Sequence, residues 1–185
     1  MIRRAKRAKG GARQRPRGPR DKILSLRRAV PVVRSLKRRG RTIVFTNGVF
    51  DLLHVGHVAL LETAASFGDV LVVGVNADDS VRRLKGPGRP IVPLAERMEM
   101  LAGLRSVDHV VSFAEPTPAR IIARLRPDVL VKGGDYRKSE IVGRDTVESG
   151  GGRVITVPLR RGRSSTDLIR RALAAVRASR GGRRR

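Results

Sequence analysis

Cysteine and tryptophan are both absent from the 185 residues of this chain. Without thiols there are no disulfides and no thiolate ligands for a metal. No apolar run reaches the roughly 18 residues that a membrane-spanning helix needs, and the basic amino terminus lacks the apolar core of a secretory signal. We therefore expect a cytoplasmic protein with no membrane partner. The length and the 40% of apolar residues suit one ordinary domain.

Acidic residues are few beside the basic ones, 16 against 41, which gives a net charge of +25. Residues 1–20 hold nine Lys or Arg and residues 177–185 hold five Arg, with no acid in either tail. Tails rich in Gly, Pro and Arg bury little apolar surface, so we predict a basic disordered extension at 1–20, a domain at 21–176 and a basic tail at 177–185. They suit non-specific attraction to RNA, DNA or anionic surfaces, although a solvated extension is the favoured interpretation. No aromatic residue is interleaved with the basic ones, so base stacking is not supported.

Short runs rich in Val and Ile alternate with amphipathic segments. The runs predict five strands buried on both faces, at 42–46, 70–75, 109–113, 129–131 and 154–157. Six helices are predicted at 55–67, 78–84, 93–104, 117–126, 139–149 and 165–178, and Thr117 is the expected N-cap of the fourth. Another helix is predicted within 25–39, starting near Pro31. This alternation predicts an α/β fold, a doubly wound, Rossmann-like parallel sheet of five strands.

The segment TNGVFDLLHVGH, residues 46–57, follows the first predicted strand and opens a helix. A helix start offers N–H groups and a partial positive charge to phosphate. His54 and His57 add donors on one side, and Gly48 and Gly56 let the backbone approach a ligand. We interpret the segment as a polyphosphate site. Zinc is disfavoured because the chain has three histidines and no cysteine, and capping or packing histidines are the remaining alternative.

Polar clusters follow four of the predicted strands, at 46–57, 76–79, 132–136 and 162–167. Because the carboxyl ends of parallel strands meet at one edge of a sheet, we expect these clusters to form one site.

Several residues keep two interpretations. Lys85 either folds over a triphosphate from a Gly/Pro-rich loop or is a surface lysine. Ser164, Ser165 and Thr166 contact phosphate or cap the last helix. Arg97 forms a structural ion pair or contacts phosphate, and Asp51 orients the turn by hydrogen bonds or touches the substrate.

The HVGH run at 54–57 resembles the HxGH signature of the cytidylyltransferase-like nucleotidyltransferase superfamily. Further runs occur in the order found in the nucleotidyltransferase domain of ADP-heptose synthase: VNAD at 75–78, LKGPGRP at 84–90, PLAERM at 93–98, VKGGDY at 131–136 and SSTD at 164–167. The resemblance covers about residues 25–175. It leaves no room for the sugar kinase domain that precedes many members, so we expect the stand-alone form. Val49 stands where the family often has cysteine.

That family domain is a D-glycero-β-D-manno-heptose 1-phosphate adenylyltransferase. The resemblance therefore implies transfer of the adenylyl group of ATP to a sugar 1-phosphate, with Mg²⁺ carried by the triphosphate because no carboxylate cluster offers a metal site. A cytidylyltransferase for glycerol 3-phosphate or a related alcohol phosphate, and a nucleic-acid-binding protein with this fold, are the alternatives. A homodimer is left open.

The resemblance also implies roles for individual residues. Catalysis is assigned to His54, His57 and Lys85. Nucleotide binding is assigned to Thr46, Asn47, Gly48, Phe50, Gly56, Lys132, Gly133, Gly134, Asp135, Ser164, Ser165 and Thr166. Substrate binding is assigned to Asn76, Asp78, Arg89 and Tyr136. No protein-built metal site is expected.

Overall fold

Six parallel strands form the centre of the molecule in a computed structural model that describes residues 18–134, 137–158 and 164–181. The strands are β1 Ile23–Leu24, β2 Ile43–Gly48, β3 Val70–Asn76, β4 His109–Phe113, β5 Val129–Gly133 and β6 Arg153–Val157. The helices are α1 Leu26–Arg38, α2 Val55–Ala65, α3 Asp78–Lys85, α4 Leu94–Gly103, α5 Ala119–Leu125, α6 Arg144–Glu148 and α7 Ser165–Gly181. Short 3₁₀ turns lie at Pro19–Lys22 and Lys138–Glu140.

The strand order β1-β4-β3-β2-β5-β6 places β2 at the point where the chain reverses its direction across the sheet. From β2 the chain proceeds to β3 and β4 on one side, and it then crosses back to β5 and β6 on the other. Val44 of β2 lies opposite both Leu71 of β3 and Val129 of β5. In sheets of this kind, ligands bind beyond the carboxyl ends of the strands at such a reversal.

Helices cover both faces of the sheet. Side chains of α1, α5 and α6 pack on one face around Phe45, and side chains of α2 and α4 pack on the other around Val44. Ile43, Val44 and Phe45 are fully buried, as expected for a strand covered on both sides. The predicted fold class is confirmed.

The strand count was wrong by one, because β1 adds an edge strand. Its two residues pair with Val110 and Val111 of β4, and a run that short carries no period to recognise. The other strands lie where they were predicted, with ends that differ by at most two residues.

Three predicted helix starts were wrong, those of α1, α5 and α6. Helix α1 begins at Leu26 because the Ser25 side chain caps it by accepting from the Arg28 N–H at 3.3 Å. Pro31 therefore lies inside the helix and not at its start. Burial of the apolar side of α1 holds the helix despite the hydrogen bond that proline cannot make. Helix α5 begins at Ala119 with Pro118 rather than Thr117 at the N-cap.

Helix α6 is shorter than the predicted 139–149, because Gly143 at φ 90° separates it from the preceding 3₁₀ turn. Helix α7 continues to Gly181, past the predicted domain end at 176. Residues 1–17 and 182–185 lie outside the described residues, so the proposed division into tails and domain stays a prediction. Among the described helices, none is both long and apolar enough to cross a membrane.

Aspartates occupy the amino edge of the sheet. Asp69 accepts from the Thr42 N–H at 2.9 Å, Asp108 from Leu71 at 2.9 Å and Asp128 from Ile43 at 2.8 Å. Each carboxylate thus satisfies a backbone donor at or just before the start of a strand, which fixes how neighbouring strands begin.

Candidate active site

A cavity of about 420 Å³ opens at the carboxyl edge of the sheet, beside the reversal between β2 and β5. Its size suits a small-molecule ligand. Most of the predicted site residues line it: Asn47, Gly48, Phe50, His54, Gly56, His57, Lys85, Arg89, Lys132, Gly133, Ser164, Ser165 and Thr166. Three of the four predicted clusters therefore contribute to one cavity, whereas no residue of the 76–79 cluster lines it.

The turn between β2 and α2 is held in an unusual backbone conformation. Phe50 and Leu52 have φ of 52° and 53°, a left-handed region that large side chains rarely adopt. The Phe50 ring is buried and meets the His57 ring edge-on at 5.3 Å. A Cβ on Gly48 would lie 3.2 Å from the Phe50 ring, so glycine allows the ring to close against the strand end.

His54 is the N-cap of α2. Its Nδ1 accepts from the Gly56 N–H at 3.1 Å, so the neutral ring carries its proton on Nε2. The Gly56 N–H is therefore used within the protein and is not offered to phosphate, although Gly56 itself lines the cavity. The donors that His54 adds to the site come from the ring itself.

The two histidine rings stack with their centroids 3.8 Å apart and their planes 20° from parallel. Burial, and to a lesser extent the neighbouring His54, lowers the pKa of His57 to about 4, although the Asp51 carboxylate acts in the opposite direction. Burial also lowers the pKa of His54. Both rings are therefore neutral at pH 7, which suits hydrogen-bond donors more than proton carriers. No group of three or more potential metal ligands occurs among the described residues.

Lys132 provides a partly buried cation at the reversal point. Its Nζ donates to the Asn47 Oδ1 at 2.7 Å, which joins the end of β5 to the end of β2. Burial lowers the Lys132 pKa to about 8. Within the described part of the chain this amine has no carboxylate partner, so an anionic ligand in the cavity would supply the missing counter-charge.

Lys85 and Arg89 approach the cavity from the β3 side. Lys85 is the exposed last residue of α3 and not part of the Gly/Pro-rich loop, which corrects the expected placement. The loop begins at Gly86, whose φ of 95° ends the helix. Arg89 lies within the loop with its Nε 2.7 Å from the Asp51 Oδ2, although that N–H does not point at the oxygen.

Asp51 is a positioning residue and not an exposed ligand. Its buried carboxylate accepts from the N–H groups of Ile91 and Val92 at 2.9–3.1 Å and pairs with Arg89. Its backbone carbonyl accepts from the Ser165 hydroxyl at the start of α7. Three segments that line the cavity therefore meet at one residue, as the hydrogen-bonding interpretation of Asp51 predicted.

The start of α7 combines capping with exposure to the cavity. The Ser164 Oγ accepts from the Asp167 N–H at 3.1 Å and donates to the Asp167 Oδ2 at 2.6 Å. This is a side-chain cap of the helix start. Ser164, Ser165 and Thr166 all line the cavity, so the capping and ligand-facing interpretations apply together.

Arg97 has no exposed surface and forms the centre of a hydrogen-bonded cluster. Its guanidinium donates to the carbonyl oxygens of Val49, Asn76 and Val92 and pairs with Asp78 at 2.7 Å. We call these five residues the Arg97 cluster. The structural interpretation of Arg97 is therefore the one that the contacts support.

Some predicted site residues do not reach the cavity. Thr46 is fully buried in β2, and its hydroxyl has no hydrogen-bond partner among the described residues. Asn76 donates to the Ser80 hydroxyl at 3.1 Å, and Asp78 belongs to the Arg97 cluster. Gly134 follows β5 without lining the cavity. Asp135, Tyr136 and the 162–163 part of the last predicted cluster lie outside the described residues.

Two apolar residues line the cavity without having been predicted, Val49 and Leu60. Leu60 lies three residues after His57 in α2, so helical spacing alone places both on one side of the helix. That spacing was the available signal. Val49 carried no such signal, because its position in the turn depends on the backbone conformation at Phe50.

Residues 45–171 match the family model described as cytidylyltransferase-like. The chain belongs to this family. It is a nucleotidyltransferase enzyme, and the cavity lies within the matched range. The match includes β3 to β6 and all but the first two residues of β2, so the family domain accounts for nearly all of the sheet.

Relatives are found among curated proteins and solved structures. The chain is 57% identical over 137 residues to the Bifunctional protein HldE of Syntrophotalea carbinolica. These 137 residues make up 74% of this chain and 28% of the relative. The chain is 50% identical to HldE of Coxiella burnetii, over 82% of this chain and 32% of the relative. The chain thus spans about a third of these relatives.

Two solved structures are similar. A lipopolysaccharide core biosynthesis protein from Thermoplasma volcanium has a TM-score of 0.54 at 28% identity, over 65% of this chain and 98% of that one. Pantoate-beta-alanine ligase from Francisella tularensis has a TM-score of 0.57 at 17% identity, over 75% and 67% of the two chains. The second likeness concerns the fold alone.

Proposed function

We propose that this enzyme transfers the adenylyl group of ATP to D-glycero-β-D-manno-heptose 1-phosphate, giving ADP-heptose and pyrophosphate. The observation that carries the proposal is the cavity, where two neutral histidines and three cationic side chains meet at the reversal of the sheet. The choice of acceptor rests on the motif series shared with ADP-heptose synthase. The identity to HldE proteins and the likeness to a lipopolysaccharide core biosynthesis protein support it.

The charges of the cavity suit a reaction between anions. Lys85, Arg89 and Lys132 line it, and Asp51, its acid, is already engaged with two N–H groups and Arg89. A triphosphate and a sugar phosphate repel one another in water. A cavity with excess positive potential lowers that repulsion and holds both reactants in position.

The reaction proposed is a displacement at the α-phosphorus of ATP. A phosphate oxygen of the acceptor forms the new P–O bond, and the bond to the bridging α–β oxygen breaks, so that both electrons of that bond leave with pyrophosphate. The acceptor phosphate has a second pKa near 6 and is ionised at pH 7, so the nucleophile needs no general base. The neutral rings of His54 and His57 then donate to oxygens that gain charge.

Magnesium fits this site as an ion carried by the triphosphate. The Asp51 carboxylate is engaged by backbone N–H groups and Arg89, and the described residues offer no cluster of three metal ligands. A metal that keeps phosphate and water as its ligands matches that donor set. When bound with ATP, it would neutralise phosphate charge beside the cations of the chain.

A substrate panel tests the proposal. The protein is incubated with Mg²⁺, each of ATP and CTP, and each of heptose 1-phosphate and glycerol 3-phosphate, while pyrophosphate is measured. We expect release with ATP and heptose 1-phosphate at least tenfold faster than with any other pair. Release with CTP and glycerol 3-phosphate alone would establish the cytidylyltransferase alternative. No release from folded protein with any pair would refute nucleotidyl transfer to these acceptors.

A further inference from the structure

Arginines concentrate on the outer face of α1 and α5, away from the cavity. Helix α1 has five Lys or Arg in 13 residues, and the sequence has no acid between Asp21 and Asp51. The spacing of seven and four residues places Arg27, Arg34 and Arg38 along one side of α1. All three are exposed.

Helix α5 continues this basic surface. Arg120 and Arg124 lie four residues apart on α5, Arg126 follows its end, and all three are exposed. The two helices pack on the same face of the sheet, and the Lys37 Nζ of α1 donates to the Arg126 carbonyl at 2.7 Å. We call these six exposed arginines the α1–α5 basic face: Arg27, Arg34, Arg38, Arg120, Arg124 and Arg126.

The stability of α1 does not explain this arrangement. Arg27 is in the first turn, where no acid is present and where the helix dipole disfavours a cation. Arg34 and Arg38 form a like-charge pair four residues apart, which also destabilises a helix. Glu115 pairs with Arg120 at 3.0 Å, but the Arg120 side chain stays 68% exposed.

The helices on the other face of the sheet, α2 and α4, expose acidic side chains and no basic ones. The acids of α2 and α4 are Glu62, Glu96 and Glu99, all at positions that are not buried, whereas their one arginine, Arg97, is buried in its own cluster. A uniformly arginine-rich composition would have placed cations on both layers. Helices α1 and α5 carry exposed arginines, whereas α2 and α4 carry none.

We propose that the α1–α5 basic face binds nucleic acid through the phosphate backbone. Arg27 and Arg38 are 11 residues apart, so the α1 side of the face extends over about 16 Å. Such a row meets several phosphates of a duplex, which carries one charge per about 1.7 Å of its axis. Arginine is also the side chain best suited to bidentate contact with phosphate.

The residues of the α1–α5 basic face indicate which kind of polyanion it binds. Binding to a membrane surface combines basic residues with inserted apolar ones. Among the residues that the structure describes, the exposed large apolar side chains all lie outside α1 and α5: Val55, Leu84, Ile91, Met100, Val142, Leu173 and Val176. The face has no aromatic residue for base stacking either. Recognition is therefore of phosphates and independent of sequence.

The test compares two triple variants of the full chain with equal loss of charge. R27Q/R34Q/R124Q removes half of the face, and R105Q/R153Q/R171Q removes three exposed arginines elsewhere. Binding to a labelled 20-base-pair duplex is measured by fluorescence anisotropy from 50 to 200 mM salt. We expect the face variant to bind about tenfold or more weakly at 100 mM salt, with the slope of log K against log salt reduced by about 2.7, while the control changes little.

Equal losses in the two variants would overturn the proposal, because binding would then follow net charge and the tails. Absence of duplex binding by the unaltered chain at 100 mM salt would also overturn it. So would binding to vesicles containing anionic phosphatidylglycerol, weakened in the face variant, without binding to the duplex. Thermal unfolding by circular dichroism is expected to be alike in all three proteins. Pyrophosphate release should also be unchanged, so this proposal can fail without the proposed reaction failing.

Discussion

Polar side chains gather at both edges of the sheet, with different partners at each. At the amino edge, Asp69, Asp108 and Asp128 accept hydrogen bonds from backbone N–H groups at or beside the strand starts. At the carboxyl edge, Lys132 and His57 line a cavity that is open to a ligand. From this difference we expect polar residues beside strands to hold the fold where backbone donors face them, and to contact a ligand where the sheet reverses.

The Arg97 cluster shows that this comparison does not extend to every polar residue at the carboxyl edge. It lies at the carboxyl edge beside β3, yet its guanidinium donates to four oxygens of the protein and has no exposed surface. Position at the carboxyl edge is thus not sufficient for contact with a ligand. Whether the hydrogen-bonding capacity of a side chain is already filled decides which role it has.

The largest effect on stability is expected from Arg97→Met. The change leaves the Asp78 carboxylate without its partner and leaves carbonyl oxygens of Val49, Asn76 and Val92 without donors. Breaking a buried pair of this kind costs about 3–5 kcal/mol. Urea denaturation followed by circular dichroism measures the free energy of unfolding.

Arg105→Gln is the matched control for Arg97→Met, because Arg105 is exposed and follows the same helix. We expect it to change the free energy of unfolding by less than about 0.5 kcal/mol. A loss in Arg97→Met no larger than in the control would show that the Arg97 cluster does not hold the carboxyl edge together.

The second prediction concerns His57, whose proposed role at this edge is to donate to the ligand. His57→Ala should lower kcat by about 30-fold to 1,000-fold, equivalent to about 2–4 kcal/mol of transition-state stabilisation. The free energy of unfolding at pH 7 should fall much less than in Arg97→Met, because the buried His57 Nδ1 has no partner to lose among the described residues. Pyrophosphate release and urea denaturation provide the two measurements.

Asp128→Asn at the amino edge is the control for His57→Ala. It removes the charge that pairs with Lys37 at 2.8 Å while keeping an oxygen for the Ile43 N–H. We expect a stability loss of about 1 kcal/mol with kcat unchanged. If Asp128→Asn lowered kcat as much as His57→Ala, the two edges would not differ in role.

The pH dependence of stability gives His57 a further signature. The folded-state pKa is lowered from 6.5 to about 4, so between these values the unfolded chain binds a proton that the folded chain does not. Stability is therefore lost as pH falls through that window, by up to about 3 kcal/mol. His57→Ala should lose correspondingly less stability between pH 6.5 and pH 4.

Strand periodicity and turn chemistry made most of the fold predictable. Buried Val and Ile runs located β2 to β6, and the parallel arrangement followed from the helices between them. The two-residue β1 had no such signal. The helix starts at Leu26 and Ala119 were missed because capping and burial outweighed what the nearby prolines suggested.

The candidate site was predictable in its membership and less so in its hydrogen bonding. Convergence of the strand ends located His54, His57 and Lys132. The sequence could not reveal that Asp78 forms an ion pair with Arg97, because that pair depends on how α4 packs against the end of β3. A motif shows which residue types are present, whereas tertiary packing determines which of them are already satisfied.

The smallest expected effect tests Lys132 as a cation kept for the ligand. Within the described residues its amine is hydrogen-bonded only to the Asn47 amide oxygen, and burial lowers its pKa to about 8. A bound triphosphate favours the charged amine, so ATP binding should weaken as pH rises from 7 to 9 and the amine loses its proton. With the charged fraction falling about tenfold, Kd should rise by up to about tenfold. Isothermal titration calorimetry measures Kd at each pH.

Lys132→Arg is the control, since the guanidinium stays charged throughout this range. We expect its Kd for ATP to vary less than twofold between pH 7 and pH 9, even if the longer side chain weakens binding overall. The triphosphate itself is already ionised above pH 7, so it contributes little to the trend. An equal rise of Kd in Lys132→Arg, or a flat profile for the unaltered protein, would contradict a role for Lys132 in holding the nucleotide. Lys132 would then belong with the aspartates of the amino edge, as a side chain that joins two strand ends.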